Sequence, residues 1–392
     1  MSASLMQIDE PKKSLPKKIK IIGWGLTLVG IVAIAAAYII DSKHTAFNNV
    51  IGFLYLTSIA LGAMFFIAIE YVSGAVWSVP IRRVFEFLLG TLTILPFIAV
   101  PVLFNLDNVF HWIHPDPSDE LIAHKVPYLN LTFFLWRFVG VLVIWNIFAW
   151  FFTRNSLRQD LSGDQKLTRA NIRLSAIFLP VLAITLTITA IDWAMSLEPH
   201  WYSTVFGVYY FSGTVLSAIS VATYIIIKLN EGNYIQNLKR DHFYSLGALL
   251  FAFINFWAYI AFSQFLLIWY ANLPEETSWF ISRWQGGMEF VSIFLIVVHF
   301  VVPYFVLLSQ DAKMDTKKLK FISIWILLAH YIDLYWLVMP SYKSGITFTL
   351  IEFIFPIFIV GIIILVIDWK IKRYNILPVG DPKLERGINF RL

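Results

Sequence analysis

Ten stretches of the chain are apolar for long enough to cross a membrane, and short polar segments separate them. They fall at roughly 19–40, 50–76, 84–105, 129–153, 170–193, 205–229, 243–271, 281–308, 319–339 and 346–369, and a helix of about 20 apolar residues spans a hydrocarbon core. No segment between them is long enough for a separate soluble domain. The pattern predicts an all-α membrane protein, a single integral membrane domain over 1–392 with about ten transmembrane helices. The first run contains AIAAA (33–37) and is similar to a signal-peptide core, but it is longer than such cores usually are and is read as a retained helix.

Composition agrees with this reading. Of 392 residues, 58% are hydrophobic and 14% charged, against about a quarter charged in a soluble domain, and mean hydropathy is +0.71. There is no cysteine, which excludes disulfides, Cys-held Fe–S clusters, thiolate nucleophiles and Cys-ligated zinc. The net charge of +5 matters less than its placement. An even number of spans puts both termini on one side. One set of loops holds only Lys43, Lys125, Arg283 and Lys343, and Arg137 falls inside a span. The remaining Lys and Arg lie in the tails and in the other loops. The positive-inside rule places both termini in the cytoplasm. Topology thus explains the basic loops without nucleic acid, and neither a nucleotide-binding glycine loop nor a Ser/His/Asp arrangement stands out.

Three features suggest an internal duplication. VIGFLYLTSIAL (50–61) parallels VFGVYYFSGTVL (205–216), and FLWRF (134–138) parallels FISRW (280–284), which aligns Arg137 with Arg283. Basic pairs, Arg82–Arg83 and Lys239–Arg240, precede the third and seventh spans. A parallel repeat follows. The first four-helix bundle would be 50–153 plus 170–193 and the second 205–339, with 19–40 and 346–369 as flanking helices.

Charged groups within spans are costly and need a reason. Helical rise places Asp192, Gln264, Glu289 and Glu352 in the outer third, with Arg137 and Arg283 near outer ends. It places Asn255, His330 and Asp333 at mid-depth, and Glu70, Glu86 and His299 in the inner third. His330 and Asp333, at i and i+3, share a face. Glu289 and Ser292 share another, with His299 about 80° away. Together the set samples most of the membrane depth, which suits a relay of titratable groups. Ion pairs and hydrogen bonds that only hold helices together would use the same residue types. A haem between helices would need two His at matched depth; His299 and His330 are the ones well inside, and the rise puts them at different depths. The outer loop HWIHPDP (111–117) is a weak metal candidate, so no metal site is expected. Prolines 96, 101, 180, 303 and 356 are expected to kink spans and free carbonyls.

The segment DWAMSLEPHWYSTVFGVYYFSG (192–213) joins the fifth and sixth spans on the outer side. Its Trp193, Trp201, Tyr202, Tyr209 and Tyr210 suit a membrane interface, and Glu198 and His200 are expected to meet a partner subunit. With FWAYIAFSQFLLIWYANLPEET (256–277), this segment resembles the ten-helix NrfD-like integral subunits of bacterial alternative complex III, a quinol:cytochrome c (or directly oxidase-linked) oxidoreductase. The resemblance covers nearly the whole chain. Length and short tails are similar to the ActF type rather than its larger ActC-type paralogue. The resemblance implies a bacterial inner (cytoplasmic) membrane, an ActC-type partner, an Fe–S subunit and haem c subunits on the outer face. It implies quinol and lipids in the complex but no redox cofactor on this chain. The family's quinol site belongs to the ActC type and is not carried over, whereas proton conduction is a role proposed for the ActF type.

Three readings follow. In the first, the chain is a non-redox-centre subunit with a proton route through Asp192, Glu289, His299, His330, Asp333 and Glu70. In the second, it forms a quinol site near the outer face, with Asp192 or Asp333 as proton acceptor, His330 as hydrogen-bond partner and Arg137 nearby. In the third, it is a stand-alone ion-coupled transporter.

Overall fold

The computed structural model describes residues 13–116 and 118–392; Lys12 of the basic tail and Pro117 of the 111–117 loop lie outside the described residues. Among the described residues, ten helices are long and apolar enough to cross a membrane: α1 Lys17–Ile40, α2 Ser42–Ser73, α3 Val79–Leu103, α4 Leu131–Ser162, α5 Gln165–Leu197, α6 Phe206–Glu231, α7 Arg240–Ala271, α8 Met288–Val306, α9 Thr316–Ser341 and α10 Ile351–Ile371. No strand occurs among the described residues. The protein is an all-α membrane protein of about ten helices, as its apolar pattern predicts.

Local chemistry sets the boundaries. Asp41 accepts from the His44 N–H at 3.0 Å, so α2 begins before the apolar run that predicted a start at 50. Asn130, Asp164 and Asp315 cap α4, α5 and α9 in the same way. Gly74 and Gly163, both with positive φ, end α2 and α4. The eighth span was predicted from 281. Instead, Pro274–Ser282 is a separate short helix, and a turn with Gly286 and Gly287 at positive φ precedes Met288. Within α3 the α-helix gives way to a 3-10 stretch, Leu89–Thr93, just before Pro96, because proline lacks the N–H that would continue the ladder.

α2 and α6 form the centre and are buried on nearly every face. Their backbones approach closely: a Cβ on Gly62 would stand 2.2 Å from the Thr214 carbonyl oxygen, and Ser217 Oγ donates to Ser58 Oγ across the seam at 3.2 Å. Small residues and hydroxyls make such contacts where lipid removes the hydrophobic drive between helices. α2 to α5 pack with one another, as do α6 to α9, and the two groups meet reciprocally, α5 on α6 and α9 on α2. α1 and α10 pair with each other and lie against α2. The first described residues and the C-terminal tail sit at one end of the bundle: the Leu15 N–H donates to Asp368, Arg82 to Asp381 and Lys383 to the Gly74 carbonyl.

Candidate functional site

The sequence-predicted groups that converge are His299, His330 and Asp333. α9 presents His330 and Asp333 one turn apart toward α6, α7 and α8. The Tyr209 hydroxyl donates to Asp333 Oδ1, and Trp257 Nε1 donates to Oδ2 at 3.1 Å. His330 Nε2 lies 3.0 Å from Ser58 Oγ, while Nδ1 has no hydrogen-bond partner among the described residues and is 3.9 Å from Asp333 Oδ2. His299 stacks on Trp257 with ring centroids 3.8 Å apart. Neither of its ring nitrogens has a partner among the described residues. The three side chains are buried to 2% exposure or less, and one ligand atom from each falls within 4.8 Å of the others.

This corrects the separate depths expected for His299 and His330, whose ring centroids are 6.5 Å apart. Two features bring them level: α8 begins later than predicted, and it contains a π turn, Val297–Val301, just before Pro303. Pro303 cannot donate to the His299 carbonyl, which favours the wider turn, and the freed Val298 carbonyl accepts from Trp325 Nε1 at 2.7 Å. Opposite, α6 makes room with Gly213, where a Cβ would stand 2.6 Å from His330 Cε1.

Buried nitrogens without partners are rare, because each forgoes hydrogen bonding that water would supply. The cluster therefore has donor and acceptor capacity that the fold leaves unused. Each of the three groups can carry a proton, and His330 Nδ1 stands 3.9 Å from Asp333 Oδ2, beyond direct hydrogen-bond reach. Two His and one carboxylate are also a known donor set for a divalent metal, though here Asp333 already accepts from Tyr209 and Trp257.

Tyr209 and Trp257 form a wall between Asp333 and a largely apolar cavity of about 620 Å³, whose lining also includes Gln264, Trp279, Ser292 and Trp336. Gln264 Oε1 is buried with no partner among the described residues.

The other predicted residues lie elsewhere. Asp192 faces Arg137 in a two-point pair, Nε to Oδ2 at 2.8 Å and Nη2 to Oδ1 at 2.9 Å. The Tyr128 hydroxyl donates to the same carboxylate at 3.0 Å, and the Tyr128 carbonyl accepts from Arg137 Nη1. Arg283, aligned with Arg137 in sequence, likewise serves the end of a fourth helix: it donates to the Trp336 and Leu337 carbonyls of α9 and to Glu198, and stacks 3.5 Å above Trp279. Glu289 accepts from the Gly287 N–H at the start of α8. Glu70 belongs to a buried ionic network at the end that carries both termini: Arg82 reaches Glu70, Glu86 and Asp381, and Arg83 reaches Glu86 and Asp160.

One expectation about the 192–213 segment is corrected, that its aromatic residues sit at the membrane interface. Trp193, Trp201, Tyr209 and Tyr210 are core residues, each 5% exposed or less, and of that group Tyr202 alone is exposed. Their polar ends find internal partners instead of interfacial water: Trp201 donates to the Glu276 carbonyl, Tyr209 to Asp333 and Tyr210 to the Leu54 carbonyl. Glu198 and His200 pair within the chain, with Arg283 and Asp119. The Ile122 backbone N–H and the His200 ring hold the Asp119 carboxyl below the usual carboxylate range.

Sequence reasoning missed His44, which lies 2.6 Å from Glu352 and stacks on Tyr342; the Asp41 cap was the available signal that the helix already included it. It also read Arg82 and Arg83 as loop charges, yet both are buried. Comparison with protein-family models found no match to this chain, and comparison with curated proteins found none either.

Proposed function

We propose that the chain is an ActF-type membrane subunit of a quinol-oxidising respiratory complex, in a bacterial inner membrane with both termini cytoplasmic, and that it contributes a proton-holding site rather than a redox centre. The observation that carries the proton role is the cluster of His299, His330 and Asp333, buried mid-bundle with nitrogen atoms that have no hydrogen-bond partner among the described residues. Isolated ionisable groups at that depth are costly, and a purely structural cluster would be expected to saturate its donors and acceptors as the Arg137–Asp192 pair does. From His330 a seam of hydroxyls leads away along α2 and α6 through Ser58 and Ser217. Farther along α6, Thr223 Oγ1 is buried and has no hydrogen-bond partner among the described residues. Membership of the complex rests on the resemblance of the 192–213 and 256–277 segments, which supply Tyr209, Gly213 and Trp257 to the cluster.

A second reading is favoured by one observation, the cavity walled by Tyr209 and Trp257. A quinol ring there would place a hydroxyl beside Tyr209, whose own hydroxyl leads to Asp333, while the electrons leave to the redox centres of partner subunits.

The test is purification through a tag on this chain in mild detergent, with a visible spectrum, quinol oxidation and proton release. Co-purified haem c absorbance with quinol oxidation is expected. In that preparation Asp333→Asn should lower proton release per quinol while oxidation persists; loss of oxidation together with quinol binding favours the second reading. A colourless solitary polypeptide with ion-dependent solute uptake would replace both with a transporter.

A further inference from the structure

At the end of the bundle that holds both termini, a groove of about 580 Å³ runs between α3, α4 and α10, lined by Leu89, Thr93, Trp150, Arg154, Arg158 and Lys370 among others. Its two ends differ. α4 reaches this end of the bundle with its C-terminus, so Ala149 and Trp150 line the deeper part and Arg154 and Arg158 the part nearer the surface. Lys370 faces them from the last turn of α10. The carboxylates nearby are engaged elsewhere: Glu86 and Asp160 with Arg83, and Asp368 with Lys372. Arg154 is instead stacked on Trp150, 4.5 Å from the ring centroid, and Trp150 is itself about half exposed. The arrangement is three cations converging above an apolar slot that opens sideways from a membrane-spanning bundle.

We propose that this groove binds the headgroup and upper chains of an anionic phospholipid. Charge complementarity identifies the occupant. A phosphodiester would sit among Arg154, Arg158 and Lys370, the two guanidinium groups offering paired donors to its oxygens, and the acyl chains would lie over Trp150 and Leu89 toward the membrane centre. Basic pockets between transmembrane helices at the cytoplasmic end recognise anionic lipid heads in this way. The proposal stands on the groove alone and does not depend on the respiratory assignment.

The experiment uses the full chain, delipidated in mild detergent and titrated with phosphatidylglycerol or phosphatidylcholine, with bound lipid read by native mass spectrometry. Phosphatidylglycerol is expected to bind in preference to phosphatidylcholine. The combined variant Arg154→Gln, Arg158→Gln, Lys370→Gln should weaken it by roughly tenfold or more, since clustered cations act together on one anionic headgroup. The control Lys166→Gln, Arg169→Gln, Arg173→Gln removes as many exposed charges from the start of α5 and should bind as the parent does. Thr93→Trp fills the groove from its exposed wall without touching a charge and should also reduce binding, so it decides the matter if the charge variant does not fold. Equal binding of the two lipids, equal loss in the control, retention in Thr93→Trp, or displacement by inorganic phosphate alone would overturn the proposal.

Discussion

Asp192 and Asp333 are both buried carboxylates, and their partners separate their roles. Asp192 meets donors from Arg137 and Tyr128 on both oxygens, whereas Asp333 meets neutral Tyr and Trp donors beside imidazoles with nitrogens that have no hydrogen-bond partner among the described residues. Removing one member of a buried ion pair strands its partner, so Arg137→Met or Asp192→Leu alone should cost roughly 3–5 kcal/mol, and the two together far less. Thermal melts in detergent check this. Non-additivity with unchanged proton release marks Asp192 as structural, and additive loss with altered proton release would return it to the proton route. Gly213 offers a second residue-scale test. Its missing side chain is the space that His330 occupies, so Gly213→Ala should destabilise by roughly 1–3 kcal/mol through overpacking and shift His330 from Ser58. A melt equal to the parent's would show that the ring has other room.

At the scale of elements, the π turn in α8 is what aims His299. Pro303→Ala restores the missing donor, so the turn is expected to tighten into regular α-helix and rotate His299 off Trp257. Proton release should fall while the melting temperature holds or rises, and an unchanged proton yield would mean that His299 stands outside the route. The number, order and type of the ten helices were legible because runs of apolar residues report directly on membrane length. The His330–Asp333 pair was legible because i, i+3 spacing fixes a shared face. The juxtaposition of His299 with them was not, since it depends on a late helix start after Gly286–Gly287 and on a π turn, and depth counted by uniform rise misses both. The aromatic residues of 192–213 misled for a related reason. Trp and Tyr carry the same amphipathic character whether the polar end meets interfacial water or a carboxylate in the core, and only the packing of α6 against α7 and α9 decides. Arg82 and Arg83 read as loop charges because, beside Glu86 within a turn, each also needs a partner distant in sequence, Asp381 and Asp160, which the sequence pattern does not bring near.

At the scale of the whole molecule, the two ends of the bundle are chemically different. One end gathers both chain ends around the buried ionic network of Arg82 and Arg83 and carries the basic groove. The other is built from the aromatic and acidic connections around Trp201, Trp279 and Glu198. The uneven distribution of Lys and Arg between these ends predicts that the first faces the cytoplasm, and the composition makes a clean test available. With no native cysteine, each single-cysteine variant carries one label site. Ser118→Cys and Glu275→Cys replace exposed residues in the connections of one end, and Leu161→Cys and Arg386→Cys replace exposed residues at the other. A membrane-impermeant maleimide applied to intact cells stripped of any outer barrier should label the first pair and leave the second unlabelled until the membrane is opened. The reverse pattern would invert the chain and put the Arg154–Arg158–Lys370 groove in the outer leaflet. Labelling of one member from each pair would break the ten-crossing topology itself, since an even number of crossings requires that Arg386 and Leu161 share a side.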